Sequence, residues 1–264
     1  MEILYAVLVL GGLGVLFGLG LGLASKVFKV DRDIRIQKIM ETLPCANCGG
    51  CGFAGCSAFA TAVVEKGADP ASCTVGGAEC AAKVSEIMGV KASYERKTAR
   101  VRCAGDCEHA PLKFEYHGLD NCESVSKVAG GSKACAYGCF GLGSCVQACE
   151  YQAISIVDGV AQVDENKCYG CGKCASVCPR HLIEVVPVRK KYFVTCTNKE
   201  KGAFMKDVCS AGCIGCKLCE RSCESHAITV EDNLAKIDYE KCTACGACAE
   251  KCPKKVIHLV EIVA

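Results

Sequence analysis

Two runs of four cysteines, each followed by a proline, constrain this chain more than any other feature. Both follow the spacing C-x2-C-x2-C-x3-C-P, which is typical of bacterial iron–sulfur motifs. They are formed by Cys168, Cys171, Cys174, Cys178 and Pro179, and by Cys242, Cys245, Cys248, Cys252 and Pro253. In this spacing three cysteines wrap one [4Fe–4S] cubane, and the fourth points to a neighbouring cluster. The runs therefore predict clusters bound in pairs with crossed ligands.

The cysteine content supports metal binding rather than disulfides. The chain has 27 cysteines in 264 residues, a fraction that usually indicates a short secreted disulfide scaffold. Here the chain is long and the cysteines form tight runs, which is the pattern of metal-thiolate sites. Tryptophan is absent, so we expect bound clusters to supply much of the folding free energy. A net charge of +2 gives no indication of nucleic-acid binding.

An internal repeat organises the second half of the chain. Nine cysteines recur at an offset of 74 residues, without an insertion. The first copy contains Cys122, Cys135, Cys139, Cys145, Cys149, Cys168, Cys171, Cys174 and Cys178, and the second contains Cys196, Cys209, Cys213, Cys219, Cys223, Cys242, Cys245, Cys248 and Cys252. We place the copies at residues 122–195 and 196–264. Asp158-Gly159 and Asp232-Asn233 each separate two short apolar runs, which predicts a β-hairpin in each copy.

The second copy contains two complete ligand sets. Crossed ligation predicts one cluster on Cys213, Cys216, Cys219 and Cys252, and another on Cys242, Cys245, Cys248 and Cys223. Structural zinc is the alternative, but four-cysteine zinc sites usually combine two separated C-x2-C pairs.

The first copy departs from this pattern at one position. One set is clear and consists of Cys168, Cys171, Cys174 and Cys149. The other contains Cys139, Cys145 and Cys178, but Leu142 stands where the second copy has Cys216. We predict Cys135 as the fourth ligand, with Cys103, Cys107 or Cys122 as alternatives. A three-iron centre or a non-cysteine ligand also remains open.

A smaller module at residues 44–90 precedes the repeat. Cys48, Cys51, Cys56 and Cys73 have the spacing of one [4Fe–4S] site, and interleaved glycines allow the backbone to approach a cluster. A helix is predicted from Ala58 to Lys66. Cys45 and Cys80 are left over, and we interpret them as buried thiols rather than ligands.

The motifs predict at least five [4Fe–4S] clusters. Outside the clear motifs and Cys135, the further candidate ligands are Cys103, Cys107, Cys122, Cys196 and Cys209. These cysteines leave a sixth cluster open.

The N-terminal residues differ in character from the rest. No charged residue occurs from Ile3 to Ser25, which at about 1.5 Å per residue is long enough to span a hydrocarbon core of about 30 Å. We predict a transmembrane helix at residues 1–25, with a cleaved signal peptide as the alternative. Basic residues follow this segment rather than precede it, so the remainder is expected in the cytoplasm.

The segments on either side of the module connect it to the anchor and to the repeat. Residues 26–43 are predicted to form a linker that contains an amphipathic helix over Val30–Leu43, with a plain charged linker as the alternative. Residues 91–121 are predicted to be a connection. The expected fold class is thus α+β, with a transmembrane helix, a small four-cysteine module and duplicated ferredoxin-like domains that each bind two clusters.

With the apolar anchor, the LPCANCGGCGFAGC module and the duplicated cysteine runs, the chain resembles the B subunits of Rnf complexes over essentially its whole length. Such complexes oxidise reduced ferredoxin, reduce NAD and pump Na+ or H+ across the cytoplasmic membrane. The resemblance implies an electron-entry subunit of a translocase. Its implied partners are soluble ferredoxin and the membrane and NAD-binding subunits of the complex. No G-x-G-x-x-G motif opens a strand–helix unit, so NAD binding by this chain itself is not predicted.

Two other classes remain open from the sequence. One is a membrane polyferredoxin that serves another oxidoreductase, although the module at Cys48–Cys73 favours Rnf. The other is an iron–sulfur protein of corrinoid or carbon-monoxide chemistry, which would be expected to carry a large barrel domain after the module.

Overall fold

The computed structural model describes residues 2–27 and 33–260 and shows mixed helices and strands. The α-helices are α1 (Glu2–Val27), α2 (Ile34–Thr42), α3 (Cys56–Lys66), α4 (Gly77–Met88), α5 (Cys122–Lys127), α6 (Ser144–Gln147), α7 (Lys173–Ser176), α8 (Gly202–Val208), α9 (Leu218–Arg221) and α10 (Ala247–Glu250). The strands are β1 (Lys97–Val101), β2 (Ile154–Val157), β3 (Val160–Val163), β4 (Ile183–Pro187), β5 (Tyr192–Val194), β6 (Ile228–Glu231), β7 (Leu234–Ile237) and β8 (Ile257–Leu259).

Helix α1 is rich in leucine, valine and glycine, and the large apolar side chains that the structure describes in it are exposed. Tyr5, Leu10 and Leu21 are each more than 70% exposed. Among the residues that the structure describes, no helix combines the length and the apolar character needed to cross a membrane. The transmembrane segment at residues 1–25 remains a prediction.

Three helices build the small N-terminal module. Helix α2 begins after Asp33, whose carboxylate accepts a hydrogen bond from the Arg35 backbone N–H at 2.8 Å, an N-cap that satisfies a free amide. Its Ile39 packs with Phe59 of α3 and Val84 of α4, and all three side chains are at most 1% exposed. The predicted helices in the linker and after the cysteine loop are thereby confirmed, although residues 28–32 of the linker lie outside the described part.

Each repeat folds into a hairpin, a second two-stranded sheet and short helices. The hairpins are β2–β3 and β6–β7, and the other antiparallel pairs are β1–β4 and β5–β8. Asp158 and Gly159, like Asp232 and Asn233, have positive φ values in their turns. Positive φ at both central residues is the geometry of a type I′ turn, whose twist suits a hairpin. Both predicted hairpins are confirmed.

The segment at residues 91–121 does more than connect the module to the repeat. It contributes β1, which pairs with β4 in the register Val101↔Ile183. Similarly, β5 lies before Cys196 and pairs with β8, with Val194↔Ile257. Each ferredoxin-like unit thus uses a strand that precedes its share of the 74-residue repeat. The first unit is β1, α5–α7 and β2–β4, and the second is β5–β8 with α8–α10.

Candidate metal centres

The second unit places each predicted ligand set around a cavity of its own. One cavity is lined by Cys213, Cys216, Cys219 and Cys252. The other is lined by Cys223, Cys242, Cys245 and Cys248. The short helices α9 and α10 carry Cys219 and Cys248. The crossed ligation expected from the spacing is therefore geometrically available.

The first unit also brings together its complete ligand set, which consists of Cys149, Cys168, Cys171 and Cys174. Burial raises the pKa of Cys174 to about 12, and the neighbouring Cys168 and Cys171 thiolates contribute to this rise. Burial also raises the pKa of Cys171, with Cys168 and Cys149 among the charges that add to this rise. Cys149, Cys168 and Cys174 pack in one apolar cluster with residues of β1, β2 and β4.

The incomplete set of the first unit is completed by Cys122 in space. A cavity of about 390 Å³ is lined by Cys122, Cys139, Cys145 and Cys178. Burial raises the pKa of Cys145 to about 11, and the charges of the other three cysteines add to this rise. Cys135, which the spacing favoured, does not line this cavity. The correction has a physical reason: Cys122 starts α5, and its N–H donates to Ser144 Oγ of α6 at 2.8 Å.

Cys135 lies instead in a fourth cysteine-lined cavity, together with Cys103, Cys196 and Cys209. Cys107 is exposed and lines neither of these two cavities. It lies at the hairpin turn, where its backbone N–H donates to the Asp158 carbonyl oxygen at 2.9 Å.

The N-terminal module gathers its cysteines around the start of α3. Burial raises the pKa of Cys56, and charges on Cys73 and Cys48 contribute to this rise. The Asn47 side-chain oxygen accepts a hydrogen bond from the Cys56 N–H at 2.9 Å. Cys51 and Cys56 pack against the same core as buried Cys73.

The two leftover cysteines of the module differ. Cys80 is buried, as expected, and its thiol donates a hydrogen bond to Cys73, which lowers the pKa of Cys73 to about 6. Cys45 is exposed, so the expectation that it is buried was wrong. Its backbone adopts a positive φ of 51° in the segment after α2, and its thiol donates to the Met40 carbonyl oxygen at 3.7 Å.

The cysteine sulfurs are surrounded by backbone donors, as cluster ligands require. Ala99 N–H donates to Cys168 Sγ at 3.3 Å, and Ala153 N–H donates to Cys149 Sγ at 3.4 Å. Ala227, which lies 74 residues after Ala153, donates to Cys223 Sγ at 3.3 Å. N–H···S hydrogen bonds stabilise thiolates and tune cluster potentials. The donor sets fit [4Fe–4S] clusters.

The arrangement of the cysteines also bears on single-ion coordination. All 27 cysteines are free thiols. Among the described residues, no group of three His, Cys, Asp or Glu side chains is placed to hold one metal ion. Burial raises the pKa values of thiols and so disfavours the thiolate form at neutral pH. Thiols that bind a cationic cluster must therefore release their protons.

The comparisons with known families agree with this geometry. A model described as "Putative Fe-S cluster" matches residues 43–75, and "LdpA Fe-S cluster-binding domain" matches residues 144–189. Two models described as "4Fe-4S dicluster domain" match residues 167–227 and 212–256. Fold and sites thus define a multi-cluster iron–sulfur protein that carries several [4Fe–4S] clusters and transfers electrons.

Relatives along nearly the whole chain specify the family. The chain is 46% identical to the B subunit of the ion-translocating oxidoreductase complex of Methanosarcina acetivorans, over 96% of this chain and 97% of that protein. It is 46% identical to the B subunit of the Na+-translocating ferredoxin:NAD+ oxidoreductase complex of Acetobacterium woodii, over 97% of this chain and 78% of that protein. It is 40% identical to the B subunit of the proton-translocating ferredoxin:NAD+ oxidoreductase complex of Clostridium ljungdahlii, over 94% of this chain and 89% of that protein. The chain belongs to the B-subunit family of ion-translocating oxidoreductase complexes, the Rnf family, and is an electron-relay component of such a translocase.

Proposed function

We propose that this chain accepts electrons from reduced ferredoxin and relays them toward an ion-translocating complex that reduces NAD. The names of the Acetobacterium and Clostridium relatives support this substrate pair. When bound, the clusters supply single-electron storage and transfer. We assign the ligands as the four cysteines of each predicted set, with Cys122 completing the Cys139, Cys145 and Cys178 set.

The observation that carries the proposal is the contact between the N-terminal module and the first ferredoxin-like unit. An added Cβ at Gly50 would lie 2.8 Å from the Cys171 carbonyl oxygen and 2.9 Å from its Cα. The Cys48 charge adds to the rise in the Cys171 pKa that burial causes. Two ligand sets therefore meet across the boundary between module and unit, which favours electron transfer between them.

Electron entry is proposed at the second unit. Cys216 and Cys245, one from each of its ligand sets, are exposed, so its clusters come close to the surface. Lys217 and Lys255 are exposed nearby and offer positive charge to an acidic ferredoxin, which would speed its encounter with this face. From there electrons pass inward through the first unit to the module.

The test replaces Cys48 and Cys51 by serine in the complete complex. Ferredoxin should still reduce the clusters of both ferredoxin-like units, while NAD reduction should stop. Cys107→Ser, at an exposed position outside the ligand sets, is the matched control and should leave the rate unchanged. NAD reduction at the normal rate in the double variant would show that the module is not on the path.

We further propose that α1 anchors the chain in the cytoplasmic membrane by a single span, with the remainder in the cytoplasm. Support comes from the uncharged Ile3–Ser25 run, from the basic residues that follow it and from the exposed apolar side chains of α1. Deletion of residues 2–27 should move the chain from the membrane fraction to the soluble fraction. A C-terminal reporter that is active only outside the cytoplasm would overturn the orientation.

A further inference from the structure

We propose that Cys103, Cys135, Cys196 and Cys209 bind a further [4Fe–4S] cluster that joins the two ferredoxin-like units. The four side chains line one cavity, as Cys213, Cys216, Cys219 and Cys252 do in the second unit. Cys135, Cys196 and Cys209 are each only 7% exposed, and Cys103 is half-buried. Four thiols that line one cavity provide the donor set that a [4Fe–4S] cluster requires.

The site has internal symmetry, because each ferredoxin-like unit supplies an equivalent pair of cysteines. Cys135 and Cys209 correspond at the 74-residue offset. Cys103 and Cys196 each lie two residues beyond the end of the first strand of their unit, after β1 and β5 respectively. The preceding residues make matching backbone bonds, from Arg102 N–H to Leu182 O and from Thr195 N–H to Val256 O, both at 2.8 Å.

The hydrogen bonds to the sulfurs repeat the same symmetry. Cys139 N–H donates to Cys103 Sγ at 3.4 Å, and Cys213 N–H donates to Cys196 Sγ at 3.4 Å. The two donors, like Cys135 and Cys209, are 74 residues apart. A site that is built in the same way from both halves is unlike a chance grouping of leftover thiols.

A buried amide also points to a thiolate at this site. Asn198 is 1% exposed, and its side-chain N–H donates to Cys135 Sγ at 3.4 Å. Its side-chain oxygen accepts from the Glu200 N–H at 2.6 Å, which fixes the orientation of the amide. Burying a polar side chain is costly unless its hydrogen bonds are made, and this donor reaches a ligand sulfur.

The position of the site makes it a bridge. Cys139, whose N–H contacts Cys103 Sγ, belongs to one ligand set of the first unit. Cys213, whose N–H contacts Cys196 Sγ, belongs to one ligand set of the second unit. The proposed cluster thus lies next to one cluster of each unit. Its role as a relay rests on the proposed electron path, whereas its existence does not.

The test is Cys209→Ala in the full-length chain, purified without oxygen. Iron and sulfide per chain should fall by about a sixth, from roughly 24 to roughly 20 irons if all sites hold cubanes. One set of EPR signals should be lost and the others kept. Cys107→Ala is the matched control and should retain all iron. Unchanged iron content and spectrum in Cys209→Ala would overturn the proposal.

A second variant keeps the test decisive if Cys209→Ala does not accumulate. Asn198→Leu removes the N–H···S bond while leaving all four thiols, so it should retain the iron and shift the midpoint potential of one cluster only. A potentiometric EPR titration identical to wild type would contradict the proposed site.

The bridging role is tested separately, by the rates at which ferredoxin reduces the two units. In Cys209→Ala, ferredoxin should reduce the second unit at the normal rate, while reduction of the first unit and of the module slows. Loss of iron with normal reduction of the first unit would overturn the bridge. Failure of ferredoxin to reduce any cluster in the wild-type chain would instead overturn the proposed function and leave the iron measurement intact.

Discussion

At the scale of single residues, Lys133 places a buried positive charge near cysteines of two ligand sets. The residue is 3% exposed, and its ammonium donates to the carbonyl oxygens of Gly105 at 2.6 Å and Gly159 at 2.9 Å. Burial raises the pKa of Cys139, and raises that of Cys209 to about 11, but the positive charge of Lys133 opposes the rise at both. One charge therefore acts on a ligand of the first unit and on a ligand of the proposed bridge.

Removing this charge should lower the reduction potentials of the two adjacent clusters. In Lys133→Met an added electron loses a favourable Coulomb interaction on the order of 1–2 kcal/mol at an effective dielectric constant of about 20. For a one-electron couple this corresponds to a shift of about 40–90 mV. Potentiometric EPR measures the shift. Lys133→Arg keeps the charge, and Lys113→Met removes an exposed one; equal potentials in Lys133→Met and Lys113→Met would refute the effect.

At the scale of elements, helix α5 supplies the ligand that is missing from the first unit at Leu142. Cys103 and Cys139 are 36 residues apart, whereas the equivalent Cys196 and Cys213 are 17 apart, and α5 lies in the longer segment of the first unit. Asn121 caps the helix, with its side-chain oxygen accepting from Ser124 N–H at 2.7 Å. This cap fixes the helix start, and Cys122 at that start lines the cavity left incomplete by Leu142.

Moving the cysteine from position 122 to position 142 tests this ligand assignment directly. Cys122→Ala should leave the Cys139, Cys145 and Cys178 set with three thiolates, so that this cluster is lost or becomes a three-iron centre with a distinct EPR signal. Adding Leu142→Cys to the same chain should restore the [4Fe–4S] spectrum, because position 142 corresponds to Cys216 of the second unit. A full [4Fe–4S] complement in Cys122→Ala alone would contradict the assignment.

These elements also show why the sequence predicts some ligands and not others. The C-x2-C-x2-C runs and the Asp158-Gly159 hairpin depend on short-range spacing, so the corresponding cavities and strands could be predicted. The offset of 74 pairs Cys122 with Cys196, but in space the equivalent of Cys196 is Cys103, since both follow the first strand of their unit. An alignment without insertions could not reveal the longer segment that separates Cys103 from Cys135. Cys135 was predicted as the fourth ligand because it is near Cys139 in sequence, whereas Cys122 is the cysteine that lines this cavity.

At the scale of the whole molecule, the module and the first unit are held together at a contact that no local pattern indicates. Besides the approach of Gly50 to Cys171, the rings of Tyr151 and Tyr169 pack near this boundary in a tilted arrangement, with centroids 4.7 Å apart. Burial raises the pKa of Tyr151 to about 12, and charges on Cys48 and Cys171 add to the rise. Thiolates from both sides of the boundary thus act on one side chain, which indicates that the two ligand sets are close neighbours.

A substitution at Gly50 therefore tests whether the proposed electron path crosses this contact. In Gly50→Ala the new Cβ would meet the Cys171 backbone at 2.8–2.9 Å, and overpacking of this kind typically costs about 1–3 kcal/mol. The module should therefore move away from the first unit while both keep their clusters. Gly52→Ala is the matched control, because its Cβ has no atom within 4 Å although its φ of 85° is strained. Rapid anaerobic mixing with reduced ferredoxin should show normal reduction of both ferredoxin-like units in Gly50→Ala and slowed reduction of the module. Equal rates for Gly50→Ala and Gly52→Ala, with iron content unchanged in both, would show that electrons do not cross at this contact.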